Sequence, residues 1–120
     1  MKGLTTHILD LMSGTPAANV RVELFYQDQA SSGEMEHIAM RITNNDGRLD
    51  EPFLNQGSLK KGNYKFVFFI GDYFREKAVN LPEPSFLEEV AVQFGVADPS
   101  LPYHVPLLVS PWGYQVYRGS

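Results

Sequence analysis

At 120 residues the chain has room for one domain, expected to run over 1–120, with enough length to bury a substantial core. A composition of 43% hydrophobic and 20% charged residues excludes a disordered chain, and the lack of Cys excludes disulfides, thiolate metal ligands and Cys nucleophiles. The formal net charge of -4 opposes binding to a phosphate backbone, so no nucleic-acid partner is expected.

Residues 1–10 are too polar for a secretory signal, because Thr5, Thr6, His7 and Asp10 interrupt any apolar stretch. The apolar run at 66–70 is far shorter than the roughly 20 residues needed to span a bilayer. A cytoplasmic protein without membrane contact is therefore expected.

Period-two alternation then dominates the chain. A first strand covers 5–9, with His7 on the face of Thr5 and Leu9 and with Ile8 on the other. Residues 20–26 place Val20, Val22 and Leu24 on one face, and residues 37–43 place Ile38, Met40 and Ile42 inward in the same way. Residues 64–69 are aromatic on both faces and read as a strand buried between two layers. Residues 72–78 break the rhythm: Asp72 is a candidate N-cap followed by good helix formers, which predicts a short helix. Strands at 89–94, 103–109 and 114–118 complete the set. Turn signals such as Asn45-Asp46-Gly47 and Ser110-Pro111-Trp112-Gly113 separate the runs. About seven or eight short strands so spaced predict an all-β sandwich of two antiparallel sheets with one short helix.

Common catalytic and nucleotide-binding motifs are missing, including Gly-x-Ser-x-Gly and His-Glu-x-x-His. The three histidines, His7, His37 and His104, fall in separate strands without the close spacing of a zinc site. Parity nevertheless links two of them. If Ile8, Val105, Leu107 and Val116 point into the sandwich, then His7, His104 and Tyr117 all point outward. Leu9, Pro106 and Leu108 share that outer face, so it is apolar enough to suggest an oligomer interface that doubles as a pocket, or a plain dimer interface without chemistry. Pro106 suits an edge strand or a bulge. Arg48, just after the Asp46-Gly47 turn, reads on its own as a solvated surface charge.

Thr5-Thr6-His7-Ile8-Leu9-Asp10 with Gly14-x-Pro16-Ala17 resembles the opening of the transthyretin-related proteins, and Thr43-Asn44-Asn45-Asp46-Gly47-Arg48 is similar to their Asp-Gly-Arg segment. Tyr103-His104-Val105-Pro106-Leu107-Leu108, with the terminal Tyr117-Arg118-Gly119-Ser120, resembles the enzyme branch of that family, the 5-hydroxyisourate hydrolases. The likeness runs from Leu4 to Ser120; Trp112 and Gln115-Val116 depart from the family's pattern. It implies a transthyretin-like sandwich, a homotetramer and ring-opening hydrolysis of 5-hydroxyisourate to 2-oxo-4-hydroxy-4-carboxy-5-ureidoimidazoline in urate catabolism. It implies neither a metal nor another cofactor. By position it assigns catalysis to His7, Arg48, His104 and Ser120, and substrate binding to His7, Arg48, Tyr117, Arg118 and Gly119. A non-catalytic, hormone-type carrier of the same fold is the alternative, although carriers are expected to lack the histidine pair and the Tyr-Arg-Gly-Ser end.

Overall fold

The computed structural model describes residues 2–30 and 33–119. Alternating strands pair into two four-stranded sheets that pack face to face. The first sheet orders β2 (Thr15–Pro16), β1 (Leu4–Asp10), β7 (Tyr103–Ser110) and β8 (Gly113–Val116). The second orders β4 (Glu36–Ile42), β3 (Arg21–Gln27), β5 (Gly62–Phe68) and β6 (Val90–Val96). Most pairs are antiparallel, but β1 and β7 run parallel from Leu4↔Tyr103 to Asp10↔Val109. Nearly the whole chain separates these two strands and builds the opposite sheet on the way, so no hairpin dictates their direction.

Parity fixes the core. Leu4 and Ile8 of β1, Val22 and Leu24 of β3, Phe66 and Phe68 of β5 and Leu107 of β7 are all fully buried between the sheets. Phe53 and Phe94 pack against the Phe66 ring at centroid distances of 5.2 and 5.4 Å, and Tyr64 stacks on Phe94 at 5.8 Å, a cluster whose truncation at Phe66 to Ala would cost about 3–5 kcal/mol. β5 is central in its sheet rather than enclosed on both sides, since Asn63 and Lys65 on its outer face stay partly exposed.

Two further expectations are corrected. Ile38, Met40 and Ile42 point outward, with 37%, 43% and 55% exposure, because the register sets Ala39 and Arg41 opposite the inward Leu24 and Val22 and leaves Ile38 as the extra residue of a bulge in β4. The inner side at this edge is filled by Phe53, over whose ring the Arg41 guanidinium lies at 5.4 Å. The helix α1 spans Ile70–Glu76, earlier than the predicted 72–78, and its cap is Phe69, with no side-chain cap bond. Burial decides the start: Ile70, Tyr73 and Phe74 anchor the helix in the core, outweighing the local preference of Asp72 for a cap. Asp72 instead sits in the first turn, where the helix dipole favours a carboxylate, and pairs with Arg75 at 2.8 Å.

Helix and first sheet are tied by Asp10, only 3% exposed at the end of β1. Its carboxylate accepts from the Met12 amide at 2.8 Å and from the Tyr73 hydroxyl at 2.8 Å. Burial, followed by that bond, raises the Tyr73 hydroxyl well above the usual phenol range. No helix among the described residues is long and apolar enough to cross a membrane.

Candidate active site

The parallel β1–β7 pair sets Thr5 beside His104 and His7 beside Pro106 on the outer face of the first sheet. Inward neighbours hold that face in place. Ile8, Val105 and Leu107 are buried, and the Thr6 hydroxyl, itself 2% exposed, donates to the Val105 carbonyl at 2.7 Å. Both histidines therefore emerge, partly exposed, from a rigid platform.

Pro106 occupies a central strand rather than an edge. Alternation along the β7–β8 hairpin puts it opposite Tyr117 at a position where its missing N–H leaves a gap. The regular ladder accordingly stops at Leu107↔Val116 and resumes, in the same register, as a lone bridge at His104↔Gly119. The Gly119 amide donates to the His104 carbonyl at 2.7 Å. A Cβ at Gly119 would lie 2.7 Å from the His104 ring and 3.2 Å from the Pro106 ring, so this glycine permits the chain end to lie directly on the histidine.

Arg48 arrives from a loop fastened to β1. Asn44 braces it, with its side-chain oxygen accepting from the Asp46 and Arg48 amides at 2.9 and 3.2 Å. The Ile8 amide donates to the Gly47 carbonyl at 2.9 Å. Gly47 has φ 72°, and a Cβ there would meet the Ile8 carbonyl at 2.4 Å, so both conformation and approach require glycine. The turn that looked like surface punctuation is thus docked against the strand carrying His7.

These pieces enclose a cleft of about 430 Å³, lined by Thr5, Thr6, Arg48, Glu51, His104, Arg118 and Gly119 among others. That volume suits a small heterocycle. Arg118 is steered by stacking 4.2 Å above the Tyr103 ring. Two guanidinium groups facing one carboxylate make the cleft locally cationic in a chain that is acidic overall.

Both histidines are held below the ordinary imidazole value of 6.5. For His7 the cause is burial, then the charge of Arg48, partly offset by a hydrogen bond to the Asp46 backbone and by the Asp46 charge. For His104 it is burial, then Arg48, then His7. Each ring is consequently neutral near pH 7, the state in which imidazole accepts a proton. The neighbouring cation that keeps them neutral is also suited to hold a developing oxyanion.

The structure thus brings His104, Arg48, Arg118 and Gly119 into one cleft, with His7 close enough for its charge to reach His104. It sets Tyr117 apart: 52% exposed, this residue borders a separate hollow with Val92, Phe94 and Val116. Ser120 lies outside the described residues. His37 belongs to the other sheet, where it contacts Glu23 at 3.0 Å. Among the described residues no three His, Asp or Glu converge as a metal site. Sequence reasoning missed Thr5 and Glu51 as cleft residues. The shared parity of Thr5 and His7 was visible, but the register that sets Thr5 against His104 was not.

Fold and cleft together define a β-sandwich protein that presents neutral imidazoles and guanidinium groups on the outer face of one sheet. The chain belongs to the HIUase/Transthyretin family, whose model matches residues 4–119. It is 45% identical over 120 residues to the 5-hydroxyisourate hydrolase of Pseudomonas aeruginosa, covering 100% of this chain and 93% of that protein. Among solved structures it is similar to the 5-hydroxyisourate hydrolase of Klebsiella pneumoniae, with a TM-score of 0.76 and 31% identity over 98% of each chain. It also matches (S)-allantoin synthase with a TM-score of 0.89 and 38% identity, spanning 98% of this chain but 43% of that larger one.

Proposed function

We propose that this chain is a single domain, residues 1–120, that hydrolyses 5-hydroxyisourate. The observation that carries the reading is a 430 Å³ cleft in which His104 and Arg48 meet, with His7 adjacent, in a chain alike over its full length to 5-hydroxyisourate hydrolases. In this mechanism one neutral histidine takes a proton from water as the oxygen adds to a ring carbonyl. Arg48 holds the oxyanion with its planar donor fork. The ring C–N bond then breaks, the leaving nitrogen receives a proton from the imidazolium, and a carboxylate remains. Arg118 and Gly119 bind substrate, with Tyr117 and Ser120 completing the terminal tetrapeptide.

The same reading makes the protein a cytoplasmic homotetramer. Leu11, Met12, Phe86 and Trp112 are 50–69% exposed, and Phe86 and Trp112 lie ring to ring at 6.2 Å, an apolar surface that further copies of the chain would cover. The deciding experiment follows the ultraviolet decay of freshly generated 5-hydroxyisourate with and without the protein. Accelerated decay is expected. Binding of an aromatic ligand without turnover would instead indicate a hormone-type carrier. Light scattering at micromolar concentration should give a tetramer, and a stable monomer would overturn that part.

A further inference from the structure

The ring of His104 is held on two edges and free on a third. Its Nδ1 lies 2.8 Å from the Thr5 hydroxyl oxygen, and its Cδ2 faces Gly119 at a distance that leaves no room for a methyl group. Nε2 carries no protein hydrogen bond among the described residues, and the ring lines the cleft. We propose that Thr5 is the positioning residue for His104, holding Nδ1 so that Nε2 is the nitrogen that exchanges protons with water and substrate. The inference rests on the hydrolytic reading above and adds to it a residue and a working atom.

The chemistry of the partner supports this. A carboxylate or carbonyl at Nδ1 can only accept, which locks the ring with its proton on Nδ1. A hydroxyl both donates and accepts. When Nε2 bears the proton, the Thr5 hydroxyl donates to Nδ1. When Nε2 is bare, or when the ring is charged, Nδ1–H donates to the hydroxyl oxygen. One rotation of an O–H bond thus keeps the ring fixed through each protonation state in a proton cycle, without movement of heavy atoms. Thr5 can do this because the parallel register sets it directly against His104. As a β-branched residue in a strand it also has few rotamers to lose.

The test compares Thr5→Val, which keeps the shape and removes the hydroxyl, with Thr5→Ser, which restores it. A ring free to turn by a fraction of an ångström should lower kcat by about 10–100-fold with KM little changed, and Thr5→Ser should recover most of the loss. In parallel, ¹H–¹⁵N spectra of the imidazole rings are recorded for each protein. In Thr5→Val the His104 nitrogens should move toward the values of an unrestrained imidazole, while those of His7 stay in place. Unchanged kcat and unchanged His104 resonances in Thr5→Val would overturn the proposal. So would equal displacement of both histidines, which would make Thr5 a general support of its strand. Should the wild-type protein show no turnover, the hydrolytic reading fails, and the spectra still decide whether Thr5 holds the ring.

Discussion

Gly119→Ala isolates the contact between the chain end and His104. The added Cβ would stand 2.7 Å from His104 Cδ2, whereas ordinary contact begins at 3.4 Å, so about 0.7 Å must be found somewhere. The backbone cannot easily retreat, because the Gly119 amide is bonded to the His104 carbonyl at 2.7 Å. Pro106 blocks sideways escape at 3.2 Å. The imidazole therefore has to move, away from Thr5 or into the cleft. Since a misplacement of about 1 Å can cost 100-fold in rate, a displacement of this size should lower kcat by about 10–100-fold. Stability should barely change, because the substitution lies beyond the last strand and Gly119 has no positive φ to protect. The assay is the ultraviolet decay of 5-hydroxyisourate, read beside a thermal melt. Full kcat in a normally folded Gly119→Ala would show that the ring's position against Gly119 has no bearing on turnover.

Other expectations follow from the same geometry. His7→Asn and His104→Asn should each lose about 10²–10⁴-fold in turnover with unchanged melts, and the double variant should be little worse than the poorer single one if the two act as a unit; full turnover in both singles would remove the histidines from the mechanism. Arg48→Lys keeps the charge and loses the planar fork, so activity should drop sharply while the acid limb of the kcat/KM profile stays below pH 6.5. Arg48→Gln removes the charge as well, and because that charge disfavours the imidazolium forms, the acid limb should rise; a limb that moves equally in both variants would refute this. Tyr73→Phe leaves one oxygen of the buried Asp10 carboxylate without its donor, which should cost about 1–3 kcal/mol in chemical denaturation, and an unchanged midpoint would mean that water replaces the hydroxyl.

Strand parity was readable because each strand has one wet and one dry face, and it correctly turned His7 and His104 outward. What alternation does not encode is pairing. The parallel union of β1 with β7, which makes neighbours of Thr5 and His104, is decided by packing between segments at opposite ends of the chain. At β4 the same logic misled, because pairing sets Arg41 and Ala39 against the inward Val22 and Leu24 while Ile38 bulges out of the ladder, and an edge strand tolerates exposed Ile and Met. Arg48 shows the limit of local reading most clearly. Its turn is recognisable from Asn45-Asp46-Gly47, but only the contact of Gly47 with Ile8 converts a surface charge into part of the cleft. The resemblance to a family supplied that position where pattern could not.

The parallel β1–β7 ladder also has a consequence for how the protein is made. Thr5 and His104 are 99 residues apart, so a ribosome adding about 5–20 residues per second completes the second strand roughly 5–20 s after the first. Throughout that interval β1 has only the two-residue β2 as a strand partner within its sheet, and its other edge is open to foreign strands. The second sheet, built from residues 21–96, can assemble meanwhile and offer Ile8 and Leu4 an apolar surface to rest on. Growth that outpaces chaperone supply should thus deplete active protein through aggregation of nascent chains, even for variants whose mature stability is untouched.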